Sequence, residues 1–398
     1  MLTTPTELDA RRRGVSSKKG SSRVHFDSAP VRTGSVRTGE ELNLAALADW
    51  LRGRIEGAER GITVEQFPDG HSNLTYLLRM SGDGREYVLR RGPLGPVAPK
   101  AHDMAREFRV LQMVHPHFQE APDAFHLCED PAVLGAVFFL MERRHGLILR
   151  DEIPPQLTNV PNYVHRVSEA FIDGLIRLHA IDVSKTGLLA LGKPEGFLER
   201  QVRGWADRWN RAQSAERTDE MPRMRMDRVI QWLVDRRPSS PAPTLVHNDY
   251  KLDNVMLQPE SADRSQSMIR IEAVLDWEMA TIGDPLVDLG LTLCYWAWVD
   301  APQLRARPLP SLTSQPGWYT RDQFVERYAA QTGRDLSNIG YYEVLGIFKL
   351  AVILQQIYYR FQRGQTQDAR FQNFGERVRG LVELANSLMG KLRMEKFS

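Results

Sequence analysis

Residues 245–257 read Leu-Val-His-Asn-Asp-Tyr-Lys-Leu-Asp-Asn-Val-Met-Leu, a cluster of chemistry-bearing side chains between two apolar stretches. His247, Asp249, Lys251 and Asn254 fall in the spacing His-x-Asp-x-Lys-x-x-Asn, and the later run Ile271-Glu272-Ala273-Val274-Leu275 delivers Asp276. Phosphoryl transfer needs such a set: a carboxylate to hold the attacking hydroxyl, and two oxygen ligands to hold magnesium on the phosphates. In that chemistry Asp249 serves the hydroxyl, Lys251 reaches the transferred phosphoryl group and neutralises its charge, and Asn254 and Asp276 take the metal. His247 braces the loop rather than transferring protons, because Asp249 already serves the hydroxyl. The pattern His-x-Asp-x4-Asn arises by chance in roughly 2% of chains this long. A polar hairpin between two short strands is the alternative; the strand-loop-strand context and the downstream Asp favour phosphoryl transfer.

The chain that must position these residues has 398 amino acids, a length that fits two or three ordinary domains or one two-lobed enzyme with a large core. A hydrophobic content of 42% and a charged content of 26% are those of a globular protein in water. The net charge of +2 gives no global polybasic field, so neither nucleic acid nor an anionic membrane is expected as a partner. No uninterrupted apolar run approaches the roughly 20 residues that span a bilayer. The most apolar stretches are 133–141 and 286–299, and Asp288 interrupts the second. Cys128 and Cys294 form no Cys-x-x-Cys pair, a usage that predicts a reducing, cytoplasmic location. Residues 1–39 set many Arg and Lys among Ser, Thr and Gly with almost nothing large and apolar to bury, and read as a disordered basic tail. No apolar segment follows those basic residues, so no secretory signal is expected, and Glu7 and Asp9 count against an organelle transit peptide.

From residue 40 the apolar pattern predicts a helix over 40–55, then strands at 62–67, 74–80 and 86–90, with Ser81-Gly82-Asp83-Gly84 as a hairpin turn. A Pro/Gly loop leads to a helix over 101–114, and strands follow near 125–128 and 136–141. Three strands, a helix and two strands is the order of a protein-kinase small lobe, here residues 40–142. Residues 143–398 then read as a large, mainly helical lobe. Its helices are expected at 162–181, 195–213, 221–236, 286–298, 321–331, 338–361 and 368–392. The expected fold class is α+β, with a small antiparallel-sheet lobe carrying one main helix.

That order assigns further roles. The turn 67–74 lies over a nucleotide, where Gly70 permits close approach and Ser72 and Asn73 bind phosphate oxygens. Kinases place a Lys on the third strand to grip the phosphates, fixed by a Glu of the next helix. Here Arg90 occupies that position, with Arg91 beside it and Glu107 as the helix partner. A guanidinium holds phosphate bidentately, so the charge logic survives. Met141 and Glu142, at the boundary between the lobes, complete the nucleotide set. Glu278 is a metal contact or a solvated carboxylate, and Asp284 and Asp288 hold backbone or cap the next helix. His115, His117, His126 and Cys128 match no common zinc spacing. Trp205 and Trp209, one helical turn apart, are a core stripe or, less favoured, a substrate wall.

With these motifs in view, the chain resembles the aminoglycoside phosphotransferase and choline kinase superfamily, which has the protein-kinase-like fold. Within it, the chain most resembles the kinase-like domain found ahead of some acyl-CoA dehydrogenases. The likeness runs from about residue 40 onward. It rests on residues 70–78, 87–93, 105–111, 192–202, 247–257 and 275–280. Arg in place of Lys at position 90 is shared with that subfamily, and Asp69 stands where a second Gly is common. The resemblance implies ATP- and Mg2+-dependent phosphorylation of a small-molecule hydroxyl, and in the dehydrogenase-fused relatives a hydroxyacyl-CoA. The chain holds no dehydrogenase segment, so a dehydrogenase step is expected to fall to a separate acyl-CoA dehydrogenase chain. Arg200, Arg203, Arg208, Arg211, Arg223, Arg225 and Arg228 in the substrate helices suit an anionic acceptor, although acidic residues are interspersed. The alternatives are an aminoglycoside, amino-alcohol or sugar kinase of the same fold, and a catalytically silent nucleotide-binding or scaffold protein.

Overall fold

The computed structural model describes residues 33–68, 73–93, 103–150, 152–213, 220–260, 268–296, 312–366 and 368–394. The small lobe runs α1 (Leu44–Leu51), β1 (Ile62–Gln66), β2 (Leu74–Met80), β3 (Glu86–Arg91), α2 (Met104–Val114), β4 (Ala124–Cys128), α3 (Pro131–Leu134) and β5 (Phe138–Glu142). Its five strands form one antiparallel sheet in the order β1-β2-β3-β5-β4. At the β2–β3 hairpin Gly84 takes φ 72°, which a side chain would resist, and donates to the Met80 carbonyl. Of the expected disordered tail, residues 1–32 lie outside the described residues. Residues 33–39 run along β1 instead, where Gly34 bridges Gln66 and the Arg37 N–H reaches the Gln66 side chain.

Strand alternation divides the sheet into two buried faces. Tyr76, Leu78, Leu89, Phe138 and Leu140 join Leu47 and Leu51 of α1 in a small core. Leu77, Val88, Phe139 and Met141 point the other way and join Phe108 and Leu111 of α2 in the main core. The same alternation separates the two adjacent arginines. Arg91 faces α1, where it donates to Leu134 O, Glu40 O and the Tyr76 hydroxyl. Arg90 faces α2 and Glu107. Only Arg90 is therefore on the side of the cleft.

The large lobe contains β6 (Leu147–Ile148), α4 (Pro155–Thr158), α5 (Tyr163–His179), α6 (Phe197–Arg211), α7 (Glu220–Asp235), β7 (Thr244–Val246), β8 (Val255–Glu260), β9 (Met268–Val274), β10 (Thr281–Gly283), α8 (Pro285–Tyr295), α9 (Arg321–Thr332), α10 (Ile339–Gln362) and α11 (Phe374–Met394). The bilobal α+β expectation holds. β6, too short to show a period, adds a third strand beside β8 and β9. The last helix starts later than expected, because Asp368 accepts from the Arg370 N–H and caps a separate 3-10 turn, Ala369–Phe371.

α10 is the longest helix among those described, and it is largely apolar although Glu343, Lys349, Gln355 and Gln356 interrupt it. It is 24 residues long and contains an 18-residue stretch with a mean hydropathy of 1.2, long and apolar enough by composition to cross a membrane. Here it is a core helix packed between α8 and α11. Each Leu, Ile or Phe it buries contributes about 1.5–3 kcal/mol. Its approach to α8 depends on two glycines. A Cβ at Gly290 would lie 2.4 Å from the Tyr342 carbonyl oxygen, and one at Gly346 would lie 2.8 Å from Gly290 O. These contacts are backbone, which cannot rotate aside. We therefore expect Gly290→Ala to destabilise the protein by about 1–3 kcal/mol or more through overpacking. A denaturant melt checks this; an unchanged midpoint would mean that the helices can separate freely.

Candidate active site

β7 pairs with β10 and ends at Val246, so residues 247–250 leave the sheet as a loop with their backbone groups unpaired by strands. Asp288, on α8 and wholly buried, supplies the partners: Oδ2 accepts from the His247 N–H at 2.6 Å and Oδ1 from the Asn248 N–H at 2.8 Å. Burial alone would raise the Asp288 pKa. The hydrogen bond from His179, the nearby imidazoles and the His247 N–H outweigh it and hold the carboxyl below its ordinary range. Asp284 caps α8 by accepting from the Leu286 N–H and takes a bond from the Tyr342 hydroxyl. Both carboxylates do what their place beside a helix start suggested.

Asn248 adopts φ 64°, one of three described non-glycine residues with positive φ, and its side chain donates to Met279 O. Asn tolerates that conformation better than branched residues do. The turn places the Asp249 carboxylate beside Lys251 and Asn254. His247 is buried and its pKa is lowered by that burial. Its Nδ1 accepts from the Asp249 N–H and its Nε2 lies 3.0 Å from Leu275 O, which fixes the neutral Nε2–H tautomer. It braces the loop.

The Asp249 carboxylate meets three groups. Asn254 Nδ2 donates to Oδ2 at 2.9 Å, Lys251 Nζ lies 3.1 Å from Oδ2, and the Tyr295 hydroxyl is 3.3 Å from Oδ1. Burial lowers the Lys251 pKa, but the charges of Asp249 and Asp253 outweigh it and raise it above its ordinary value. Asn254 also donates to Asp249 O, so its amide nitrogen is engaged and its Oδ1 is the atom left for a cation. Asp276 follows β9 with φ 68° and is the second strained residue of the site. The Leu275 N–H donates to Asn254 O, tying the two segments together.

The lobes meet over a cleft of about 550 Å³ lined by Asn73, Arg90, Glu107, Met141, Glu142, Lys251, Asn254 and Asp276, among others. Arg90 bridges the lobes, with Nη2 3.3 Å from Asp276 Oδ1 and Nε 3.4 Å from Glu107 Oε2. The second pair is at ion-pair distance but misaligned as a hydrogen bond. Burial pushes the Glu107 carboxyl up to about 7 against the pull of Arg90. Asn73 is buried and donates to Glu278 Oε2 across the cleft at 2.9 Å, so Glu278 here holds the small lobe. Arg106 adds two bonds to Glu278 O and Ala280 O. Glu142 lines the cleft, but its N–H donates to Asp123 O and its carboxylate pairs with Arg144 at 2.8 Å. Gly70 and Ser72 lie outside the described residues. Among those described, no group of three or more His, Cys, Asp or Glu could hold a metal alone. Magnesium on a nucleotide needs only one or two side chains besides the phosphates.

Sequence reasoning passed over Lys349, whose Nζ donates to Asn248 O at 2.8 Å, and Tyr295. The signal for Lys349 was its isolation: it is the one charge between Glu343 and Arg360 in an apolar helix. Trp205 and Trp209 are buried core residues, the favoured reading of that pair. Of the substrate-helix arginines, Arg200 bonds the Glu195 and Lys193 carbonyls and Arg225 pairs with Glu383. Arg208 lies over the Trp205 ring, its guanidinium carbon 4.3 Å from the centroid.

Replacing Asp288 with Asn puts an N–H2 donor against a backbone N–H. A loss of about 2–4 kcal/mol is expected, the cost of a buried unsatisfied donor plus a charged hydrogen bond. For the parent, the depressed carboxyl pKa means that stability from Asp288 is present above the ordinary value of 3.8 and lost as pH falls below it. Urea melts from pH 7 to pH 3 on both proteins check this. A variant as stable as the parent at pH 7 would remove Asp288 from its place as the loop's anchor.

Residues 63–339 match the phosphotransferase enzyme family. The chain is 33% identical over 343 residues to acyl-CoA dehydrogenase family member 10 from Mus musculus, a match that covers 85% of this chain and 30% of that protein. It thus spans about a third of that relative's length. A solved structure from Ralstonia eutropha, described as an aminoglycoside phosphotransferase, superposes with a TM-score of 0.71 at 28% identity, covering 88% of this chain and 99% of that one. Choline kinase from Cryptosporidium parvum superposes with a TM-score of 0.54 at 14% identity, covering 87% and 98%, which speaks to the fold alone. These are the resemblances that the motifs carried. The chain belongs to the phosphotransferase enzyme family and is a small-molecule kinase of bilobal α+β fold.

Proposed function

We propose that the protein transfers the terminal phosphoryl group of ATP, with magnesium, to a hydroxyl of a small anionic alcohol, a hydroxyacyl-CoA or a close relative of one. The observation that carries this reading is the Asp249 carboxylate, ion-paired to Lys251 and hydrogen-bonded by Asn254, two residues that line the interlobe cleft.

The residues present fit magnesium-ATP. The cleft, about 550 Å³, falls in the range of about 300–1,000 Å³ usual for small-molecule sites. Asn254 Oδ1 and the Asp276 carboxylate are the hard oxygen donors that magnesium takes, and Arg90 stands beside Asp276 to hold a phosphate. Magnesium-ATP supplies the transferable phosphoryl group and divalent charge on its oxygens. Asp249 orients the acceptor hydroxyl and accepts its proton late, as suits a loose transition state. Lys251 neutralises charge that develops on the phosphoryl oxygens, and its raised pKa keeps it protonated.

For the acceptor, support comes from Arg208. Among the described residues no carboxylate lies within ion-pair distance of it, and it stacks on Trp205, whose ring also faces Lys349. Arg208 and Lys251 lie close enough to Lys349 to act on its charge, and that concentration of positive charge near Asp249 favours an anionic acceptor over a polycationic one. The mouse relative's name makes an acyl-CoA the first candidate and a separate acyl-CoA dehydrogenase the proposed partner. The Ralstonia eutropha structure keeps an aminoglycoside as the second reading. Cys128 and Cys294 are buried free thiols, which supports a reducing cytosol as the location.

A coupled ADP-release assay with magnesium over hydroxyacyl-CoAs, aminoglycosides and amino alcohols is expected to show turnover with the CoA esters. Turnover with a cationic aminoglycoside alone would sink the acceptor assignment. In thermal melts, magnesium-ATP should stabilise the parent and Asp276→Ala should lose that shift. An unchanged shift in the variant would show that Asp276 does not hold the ion.

A further inference from the structure

Lys349 stands in the middle of α10, 4% exposed, among Ile347, Phe348, Leu350 and Ala351. Burying an ammonium is costly, and a Met or Leu here would fit the helix without that cost. Among the described residues no carboxylate lies within ion-pair distance of Nζ. Its direct partners are Asn248 O at 2.8 Å and the face of Trp205, with the ring centroid 5.5 Å away. The carbonyl it grips belongs to the peptide that joins Asn248 to Asp249. The N–H of that same peptide donates to His247 Nδ1 at 3.3 Å. Lys349 and His247 therefore clamp one peptide plane from its two ends, while Asp288 holds the preceding two N–H groups.

We propose that Lys349 is a positioning residue for Asp249: its ammonium fixes the Asn248–Asp249 peptide, and its buried charge acts on the Asp249 carboxylate. A neutral hydrogen-bond donor would satisfy the carbonyl equally well; the charge is what a merely structural role does not need. Groups of both signs face the ammonium: Asp249 and Lys251 from the loop, Asp288 and the Cys294 thiol from α8, and Arg208 from α6. Burial, the largest influence, depresses the Lys349 pKa to about 8, against the pull of Asp249 and Asp288. The ammonium thus loses its proton within the range where a kinase can be assayed. The role rests on the phosphotransferase reading of Asp249.

The test compares the parent with Lys349→Met and Lys349→Arg, using magnesium-ATP and a hydroxyacyl-CoA panel, across pH 6.5 to about 9.5, a window that brackets the depressed pKa. Lys349→Met is expected to lower kcat about 10-fold or more, with ATP affinity from thermal shift within about 2-fold. Parent kcat should fall as pH rises through about 8, where Lys349 loses its charge. Lys349→Arg keeps its charge throughout, so its alkaline fall should disappear or move upward. Melts give a readout that needs no turnover. Between pH 8 and 10.5 the folded parent binds fewer protons at Lys349 than the unfolded chain, so its stability relative to either variant should rise with pH. A Met variant with parental kcat, an Arg variant with the parental alkaline limb, or a flat melt difference overturns the proposal. If the Met variant does not fold, the Arg comparison still decides. A parent that releases no ADP with any acceptor overturns the phosphotransferase reading and this role with it; a parent that turns over beside an unaffected Met variant overturns this role alone.

Discussion

Two backbone N–H groups, those of His247 and Asn248, point into the large lobe where β7 ends, out of reach of any strand or of water. One group with two acceptor oxygens can satisfy both, and Asp288 is placed to do so. Charge-assisted bonds of this kind contribute about 1.5–3 kcal/mol each, and either donor left alone would cost about as much. The rest of the site is built outward from that carboxylate. The αL turn at Asn248 follows from where its N–H is held, and the direction of Asp249 follows from the turn. His247 and Lys349 then fix the next peptide, and Asn254 and Lys251 fix the carboxylate itself.

The position of α10 is a second-order consequence. Lys349 can reach the loop only because α8 and α10 approach at Gly290 and Gly346, where side chains would meet backbone. Packing in an apolar helix pair thus decides the geometry of a polar site some distance away. At the cleft the small lobe is joined by polar contacts, Arg90 to Asp276, Asn73 to Glu278, and Arg106 to two carbonyls. Elsewhere apolar packing joins it, with Phe118 edge-on to Trp277, and the Val274 N–H donates to Glu120 O. The Arg90–Glu107 pair is buried yet misaligned, with Glu107 pushed toward neutrality, so the clamp on the small-lobe side is looser than the loop on the other.

What could be read in the sequence was what lies close together along the chain. His247, Asp249, Lys251 and Asn254 span one loop, and strand alternation pairs with the helix that follows to suggest Arg90 and Glu107. The choice between Arg90 and Arg91 needed the two faces of the sheet, since either residue could have met the cleft until α1 and α2 were placed. The backbone role of Asp288 was legible in kind from its place near a helix start. The atoms it holds were not, because they lie 40 and 41 residues away. Lys349, 101 residues from its partner, carried only the faint signal of a single charge in an apolar helix. β6 was too short to show any period, and α10 was passed over as an apolar stretch because its polar residues are spread along it.

In the proposed transfer Asp249 serves the acceptor hydroxyl and does little to hold the nucleotide. Single-turnover phosphoryl transfer by Asp249→Asn, beside an ATP titration of the same protein, measures both halves at once. The substitution keeps the shape and removes the charge that accepts the proton. The rate is expected to fall by about 10²-fold or more, with nucleotide affinity nearly unchanged. A parental rate would take Asp249 out of the mechanism, and a lost ATP affinity would make it a structural residue of the loop.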